Sequence, residues 1–189
     1  MNWPVVWKSV FTINKSSESL DNDYRIVHNI IWTNEKLHNI GKINNPHCKF
    51  CDKDSIENLE HMILDCKSVK NLHELILDFI EVFFQSSGFG IDDFHQWLLF
   101  GYPVLNEANN LFLIFIFSFA RLAIIKRRVL FLNEATRVDL CILFKTLLTK
   151  HMNYLYQYMS THGNRHIYLL LFSMNSYIEI NDRVHVKFN

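Results

Sequence analysis

The sequence predicts a mainly α-helical protein, and three observations lead to that fold class. Only 5 Gly and 3 Pro occur in 189 residues, so few residues interrupt helices. Hydrophobic residues make up 49% of the chain and aromatic residues 14%, which excludes disordered and collagen-like proteins. Apolar residues recur at helical spacing along most of the chain and alternate, as in strands, only near its C-terminal end. We therefore expect roughly four to six helices and at most a minor β element.

Two short helices are predicted before the first cysteine. Asn22 is a candidate N-cap for the first helix, and Thr33 is a candidate N-cap for the second. Gly41 stands where the second helix needs a left-handed C-terminal residue. The pair is similar in outline to a helix-turn-helix, with Arg25 and Lys36 as candidate phosphate contacts, although ordinary core packing explains the same pattern.

The elements that follow the cysteines include the most apolar helix of the chain. A helix capped by Ser68 comes first, and residues 96–102 suit either a short strand or a helical turn. Residues 108–133 are apolar nearly all round, which predicts a central helix. Thr136 opens a further amphipathic helix, and residues 177–188 alternate around Asn181-Asp182 as in a β-hairpin.

Two regions that pack as one compact unit are predicted, residues 1–90 and residues 91–189, with a zinc knuckle at 48–66 in the first. The chain has 19 basic and 19 acidic side chains, so overall charge does not argue for nucleic acid or an anionic membrane. The longest apolar run, residues 111–120, is too short for a membrane helix of about 20 residues, and we expect no membrane partner. Four cysteines without a secretory signal predict a reducing, intracellular location in the nucleus or cytoplasm.

The strongest chemical signal is a set of four residues with the spacing C-x2-C-x9-H-x4-C: Cys48, Cys51, His61 and Cys66. Two cysteines separated by two residues can share one ion, and the histidine and third cysteine complete a tetrahedral Cys3His set. Asp54 and Glu57 form a capping-box pattern for a helix that would carry His61. His47 is an alternative ligand, and unligated buried cysteines or a redox C-x2-C pair are alternative interpretations of the motif.

A zinc ion held by these four residues is predicted to be structural. Four protein ligands saturate tetrahedral zinc and leave no position for a catalytic water. The segment between Cys48 and Cys66 carries an excess of acidic residues, and three thiolates on a divalent ion add a further negative charge. We therefore expect the knuckle surface to repel phosphate and the zinc to act as a staple.

The residues around this motif carry a family resemblance. The strings DYRIVH at 23–28, TN at 33–34 and LEH at 59–61, together with the C-x2-C pair, resemble the zinc-binding segment of non-LTR (LINE-type) retrotransposon reverse transcriptases. This segment follows the polymerase domain in that family. The resemblance is specific at 33–66 and looser up to residue 159. It implies zinc ligation by the motif residues, an accessory C-terminal role, and RNA, DNA or a polymerase domain as partners.

The sequence predicts no catalytic site of its own. A polymerase palm needs paired carboxylates after an aromatic residue to hold two magnesium ions. Asp92-Asp93 is the only Asp-Asp pair in the sequence, and it lacks the aromatic residue two positions earlier. Asp139 and Lys145 lie in a helical pattern and do not make a nuclease core. We therefore expect a non-enzymatic fragment of a reverse-transcriptase-type protein.

Three functional hypotheses follow. In the first, the protein binds nucleic acid through basic residues at the first helix pair and on the apolar helix: Arg25, Lys36, Arg121, Lys126, Arg127 and Arg128. In the second, it is a structural or protein-interaction module that docks on a polymerase or a second copy of the chain through an apolar surface, unless these residues form the core: Leu111, Phe112, Ile114, Phe115 and Phe119. In the third, it is an inactive remnant of a retroelement.

Overall fold

The computed structural model describes residues 3–11, 15–51, 54–84, 91–101, 108–134, 136–162, 178–180 and 184–186. The protein is mainly α-helical, as the sequence predicts. The helices are α1 (Trp3–Val10), α2 (Ser17–Val27), α3 (Asn34–Asn39), α4 (Lys70–Phe84), α5 (Ile91–Phe100), α6 (Ala108–Glu134) and α7 (Leu140–His162). A π-helical turn (His61–Asp65) and a 3₁₀ turn (Lys67–Val69) precede α4, and strands β1 (Ile178–Ile180) and β2 (Val184–Val186) follow α7.

The start of α2 differs from the prediction, whereas α3 agrees with it. Ser16, in an extended conformation, caps α2 by accepting a hydrogen bond from the Ser19 amide, so the helix begins before Asn22. The predicted Asn22 cap is therefore wrong, and Asn22 is buried inside the helix. Thr33 caps α3, and Gly41 has a φ of 70°, which only glycine adopts without strain.

Two later helices, α4 and α5, also differ from the prediction. α4 starts at Lys70 because a 3₁₀ turn occupies the residues around Ser68, so the Ser68 cap is wrong. Residues 96–100 belong to α5 rather than to a strand, and this helix buries Phe94 and Leu98 one turn apart. Among helices of the described residues, none combines the length and apolar character that a membrane span needs.

α6 forms the centre of the core, as its apolar composition predicts. Every residue from 112 to 124 is buried, and α6 packs against α2, α5 and α7. The interpretation of its phenylalanines as core residues is confirmed and the docking surface is excluded, because Phe112, Phe115 and Phe119 lie in the core together with Ile114. The Leu111 side chain lies outside the described structure.

The predicted β-hairpin is present and packs on α7. β1 and β2 pair antiparallel with Glu179 opposite His185. Asn153 of α7 accepts a hydrogen bond from the Val184 amide at 2.9 Å and donates one to the Val184 carbonyl at 3.1 Å. The turn predicted at Asn181-Asp182 and the proposed boundary before residue 91 fall outside the described residues. The division into 1–90 and 91–189 stays a prediction, although helices from both regions are in contact.

Candidate metal centre

The first two motif cysteines lie on a short backbone ribbon. His47 and Ile56 form an antiparallel bridge, next to which the Cys48 amide donates to the Ser55 carbonyl at 2.9 Å. His47 and Ile56 thus lie on the two antiparallel arms of the ribbon. Just after Cys48, the Phe50 amide donates to the Cys48 sulfur at 3.4 Å. The C-x2-C spacing thus places both sulfurs on one side of a tight turn, as the motif predicts.

The other two motif residues lie at the ends of the π-helical turn. The Cys66 amide donates to the His61 carbonyl at 2.8 Å, an i to i+5 bond that matches the x4 spacing. Asn58 begins the turn by accepting from the His61 amide at 2.8 Å, so the predicted capping box of Asp54 and Glu57 is wrong. Asp54 instead pairs with His47.

The four motif side chains converge on one point. Their candidate ligand atoms, the sulfurs of Cys48, Cys51 and Cys66 and a ring nitrogen of His61, all lie within 4.8 Å of one another. The Cys48 and Cys66 sulfurs are 3.7 Å apart, and the Cys51 sulfur is 3.5 Å from His61 Nε2. A tetrahedral zinc ion would separate two sulfurs by about 3.8 Å and a sulfur and a nitrogen by about 3.5 Å. The donor set therefore fits a single metal ion of this kind.

His47 does not belong to this cluster. Its Nδ1 lies 2.5 Å from an Asp54 carboxylate oxygen, at the base of the ribbon. The alternative in which His47 replaces one of the four ligands is therefore wrong. Three of the four cluster residues are buried, and Cys51 is half-buried.

A hydrogen bond joins the sulfurs of Cys48 and Cys66. The hydrogen bond from the Cys48 thiol lowers the pKa of Cys66 to about 5, and the Ser68 hydroxyl acts in the same direction. The same bond to Cys66, together with burial, raises the pKa of Cys48 well above its usual value. Of the two thiols, Cys66 is therefore the more acidic, as suits a metal ligand.

An arginine from α6 supports the Cys66 thiolate through Ser68. Arg127 donates from Nη2 to the Ser68 hydroxyl at 2.7 Å and from Nη1 to the Ser68 carbonyl at 3.1 Å. Because the hydroxyl oxygen accepts from Arg127, its own proton is available to Cys66, whose sulfur is 3.0 Å away. Burial lowers the pKa of Arg127, while Cys66 and Cys48 raise it. The guanidinium also lies 5.0 Å from the centre of the Phe50 ring.

The next residue of α6 holds the other side of the ribbon. Arg128 donates from Nε to the Glu57 carboxylate at 2.8 Å and from Nη2 to the Asn34 side chain at 3.0 Å. Glu57 also accepts from the Asn34 amide, and Asn34 donates to the His47 carbonyl. This buried network ties α3 and the ribbon to the central helix.

Two helical turns before Arg128, Arg121 makes a third such connection. It is 2% exposed and binds Asp23 of α2 from both Nε and Nη2 at 2.8 Å. Lys15 binds the same carboxylate at 2.7 Å. Burial raises the pKa of Asp23, but Arg121 and Lys15 outweigh it and hold the pKa below its usual value. Asp23 is therefore ionised in the interior.

The structure separates the six predicted nucleic-acid contacts into two groups. Arg121 and Arg128 are buried in ion pairs, and the half-buried Arg127 donates to Ser68, so these three do not form one exposed row, and a phosphate role for them stays a prediction. The other three lie at the surface: Arg25 pairs with Asp21, Lys36 donates to Asn29, and Lys126 pairs with Glu18. Phosphate contact by this second group stays a prediction.

Sequence reasoning missed Ser68 and Glu57 as partners of the α6 arginines. The available signal was the cluster of arginines within a helix that is otherwise apolar on every side. A charge in such a position is as consistent with a buried ion pair as with a phosphate site.

Comparison with known proteins supports the metal centre. Residues 1–72 match the family model described as zinc-binding in reverse transcriptase. No curated protein and no solved structure matches the chain. The matched segment contains all four residues of the cluster and ends within α4. Residues 1–72, with their Cys3His cluster, therefore fit a zinc-binding domain of the reverse transcriptase type.

Proposed function

We propose that Cys48, Cys51, His61 and Cys66 bind one structural zinc ion, and that the protein is a non-catalytic accessory domain that assists a reverse-transcriptase-type polymerase in binding RNA or DNA. The observation that carries the zinc assignment is the separation of the ligand atoms, 3.7 Å between two sulfurs and 3.5 Å between sulfur and nitrogen. The match to residues 1–72 supports the connection with reverse transcriptases.

The chemistry of the donor set favours zinc over other divalent ions. Thiolates and imidazole are the ligands that zinc takes in closed structural sites, whereas magnesium and calcium prefer oxygen. When bound, the ion cross-links the ribbon to the π-helical turn and supplies folding free energy. Arg127 and Ser68 stabilise the thiolate charge from the outer side.

The cellular setting that we propose is intracellular, in the nucleus or the cytoplasm. No disulfide joins any of the four cysteines, of which Cys141 lies on α7. Thiols of this kind persist in reducing compartments. The polymerase domain of the same or another chain, or a second copy of this chain, is the protein partner that an accessory role requires.

Native mass spectrometry of the full chain tests the zinc proposal. We expect one zinc per chain, lost on chelation and lost in Cys51→Ser. Cys141→Ser is the matched control, because Cys141 lies on α7 and outside the cluster. A chain that carries no metal, or a Cys51→Ser variant that retains it, would contradict the proposal.

Binding of RNA and duplex DNA at two salt concentrations tests the nucleic-acid role. Phosphate contacts by lysine and arginine release counterions, so affinity should fall as salt rises. An affinity independent of salt, or none at all, would refute the nucleic-acid role and favour a purely structural module or an inactive remnant. The zinc assignment would still stand, because metal content is measured separately.

A further inference from the structure

An exposed strip of residues runs along α7. Lys150, Tyr154, Tyr158 and His162 recur every four residues and therefore share one face of the helix. Tyr154 is 59% exposed and Tyr158 is 41% exposed. The Tyr154 and Tyr158 rings are nearly parallel at 6.1 Å, and the Tyr158 and His162 rings are nearly parallel at 4.4 Å. The strip thus presents a row of aligned aromatic rings.

The charge of α7 differs from that of the knuckle. Its residues, Leu140–His162, include Lys145 and Lys150 but no Asp or Glu. The knuckle segment, by contrast, has an excess of acidic residues. An anionic polymer that approaches this domain therefore meets less repulsion along α7 than at the metal centre.

A cavity of about 450 Å³ adjoins the strip where Tyr154 and Lys150 line it. Its apolar floor is formed by Phe119, Leu122 and Leu147. Lys126 of α6 also lines it, half-exposed and beside Lys150 and Tyr154 of α7. The cavity thus combines an apolar interior with an aromatic wall and three lysines, of which Lys15 is paired with Asp23.

We propose that this strip and cavity form a binding site for single-stranded nucleic acid, in which bases stack on Tyr154 and Tyr158 and phosphates contact Lys126 and Lys150. The inference rests on the proposed nucleic-acid role and assigns it a surface. Partly exposed aromatic rings stack on unpaired bases, which a duplex keeps within its own stack. Lys126 of α6 and Lys150 of α7, a helix without carboxylates, complement a phosphate backbone better than they complement an apolar protein surface.

Glu18 restrains this site in the protein without ligand. Its carboxylate pairs with Lys126 at 2.9 and 3.1 Å, at the rim of the cavity. A phosphate that binds Lys126 competes with this exposed pair. Glu18→Gln should therefore strengthen oligonucleotide binding by a few fold, as expected for the loss of one nearby negative charge.

Fluorescence anisotropy of the zinc-loaded full chain with oligouridine and oligodeoxythymidine of equal length tests the proposal. The double variant Tyr154→Ala with Tyr158→Ala should bind at least tenfold more weakly, and the corresponding Phe variants should retain affinity because they keep the ring faces. Tyr24→Ala is the matched control, since Tyr24 is 40% exposed on α2. The two oligonucleotides show whether the site prefers RNA or DNA.

A charge reversal tests the phosphate contacts separately. Lys150→Glu should weaken binding and reduce the dependence of affinity on salt. Lys70→Glu is its control, because Lys70 is an exposed lysine on α4. Equal salt dependence in the two variants would overturn the assignment of phosphate to Lys150.

Other outcomes separate this inference from the proposed function. If the wild-type chain binds oligonucleotides and the double Tyr variant binds equally well, the assignment of the binding site to the strip is wrong and the nucleic-acid role stands. If the wild-type chain binds no single strand, the inference fails, and the nucleic-acid role stands only where the chain binds duplex DNA in the salt-dependent manner described above. If the double variant changes the mass measured by light scattering but not the oligonucleotide affinity, the strip is a contact between copies of the chain, and the proposal is overturned.

Discussion

The ribbon that carries the metal cluster and the helix pair α6 and α7 are stabilised in different ways. Among the described residues from 47 to 58, only Cys48 and Glu57 are buried, and neither is aliphatic. In α6, every residue from 112 to 124 is buried in an apolar core. A segment that buries so little apolar surface needs a cross-link to keep one conformation, whereas the helices gain theirs from packing.

The two regions meet through arginines rather than through a continuous apolar interface alone. Arg121 binds Asp23, Arg127 binds Ser68 and Arg128 binds Glu57, so α6 holds α2, the 3₁₀ turn and the ribbon. Each partner lies in the segment that matches the zinc-binding family, and each arginine lies outside it. We therefore predict that loss of the metal or of an arginine contact destabilises the segment that matches the zinc-binding family. The apolar core of α6 and α7 should persist.

The largest effect is expected from removal of the metal. Apparent zinc-binding energies in small zinc domains are about 10–16 kcal/mol, so a chelator should unfold the ribbon and the π-helical turn. Hydrogen exchange should then become fast at residues 47–66, while the amides of α6 and α7 stay protected. Equal loss of protection in α6 would show that the two regions are not stabilised independently.

A smaller effect is expected when the connection at Asp23 is broken. Asp23→Asn leaves Arg121 and Lys15 without a buried counter-charge, which costs about 3–5 kcal/mol of unfolding free energy. Denaturant unfolding measures this loss. Asp21→Asn is the control on the same helix, because its pair with Arg25 is exposed and contributes less than about 1 kcal/mol.

The pH dependence of this contact has a defined sign. Because the pKa of Asp23 lies below its usual value in the folded protein, its stabilisation is fully present above the ordinary carboxyl pKa of about 3.9. It is lost as pH falls through the lowered pKa. The difference in stability between wild type and Asp23→Asn should therefore shrink in strong acid, and a constant difference would contradict the ion pair.

His73 of α4 contacts the π-helical turn of the metal centre, and it should make the stability of the protein sensitive to mild acid. Its Nε2 donates to the Ile63 carbonyl at 3.0 Å, and burial lowers its pKa to about 4. In the unfolded chain the pKa is about 6.5, so stability falls between pH 6.5 and 4 by at most about 3 kcal/mol. His73→Gln should flatten this part of the urea-unfolding profile. A profile identical to that of wild type would exclude His73 as the cause.

The smallest effect is expected at the outer side of the metal centre. Arg127→Met removes the donor that orients Ser68 toward Cys66, and changes of this kind weaken metal binding about tenfold or more. Competition with a chelator measures the affinity. Lys126→Met is the control, because Lys126 is adjacent in sequence but pairs with Glu18 at the surface. Equal affinities in the two variants would show that Arg127 does not support the site.

Local sequence signals predicted much of the fold and of the metal cluster. Thr33 and Gly41 delimit α3 as expected, since capping depends on residues within one turn. The C-x2-C and H-x4-C spacings correctly indicated that the four side chains converge. Asn22 and Ser68 were wrong as caps because Ser16 and the 3₁₀ turn compete for the same helix starts.

The roles of the charged residues on α6 required the tertiary structure. The sequence by itself determined that α6 is central, that arginines interrupt it and that four metal ligands lie within a short segment. Only the packing decided that Arg121 faces Asp23, 98 positions away along the chain, and that Lys126 emerges beside Tyr154. The physical reason is that spacing along a helix fixes which residues share a face, whereas the partner of each face depends on elements brought together by burial of the apolar core.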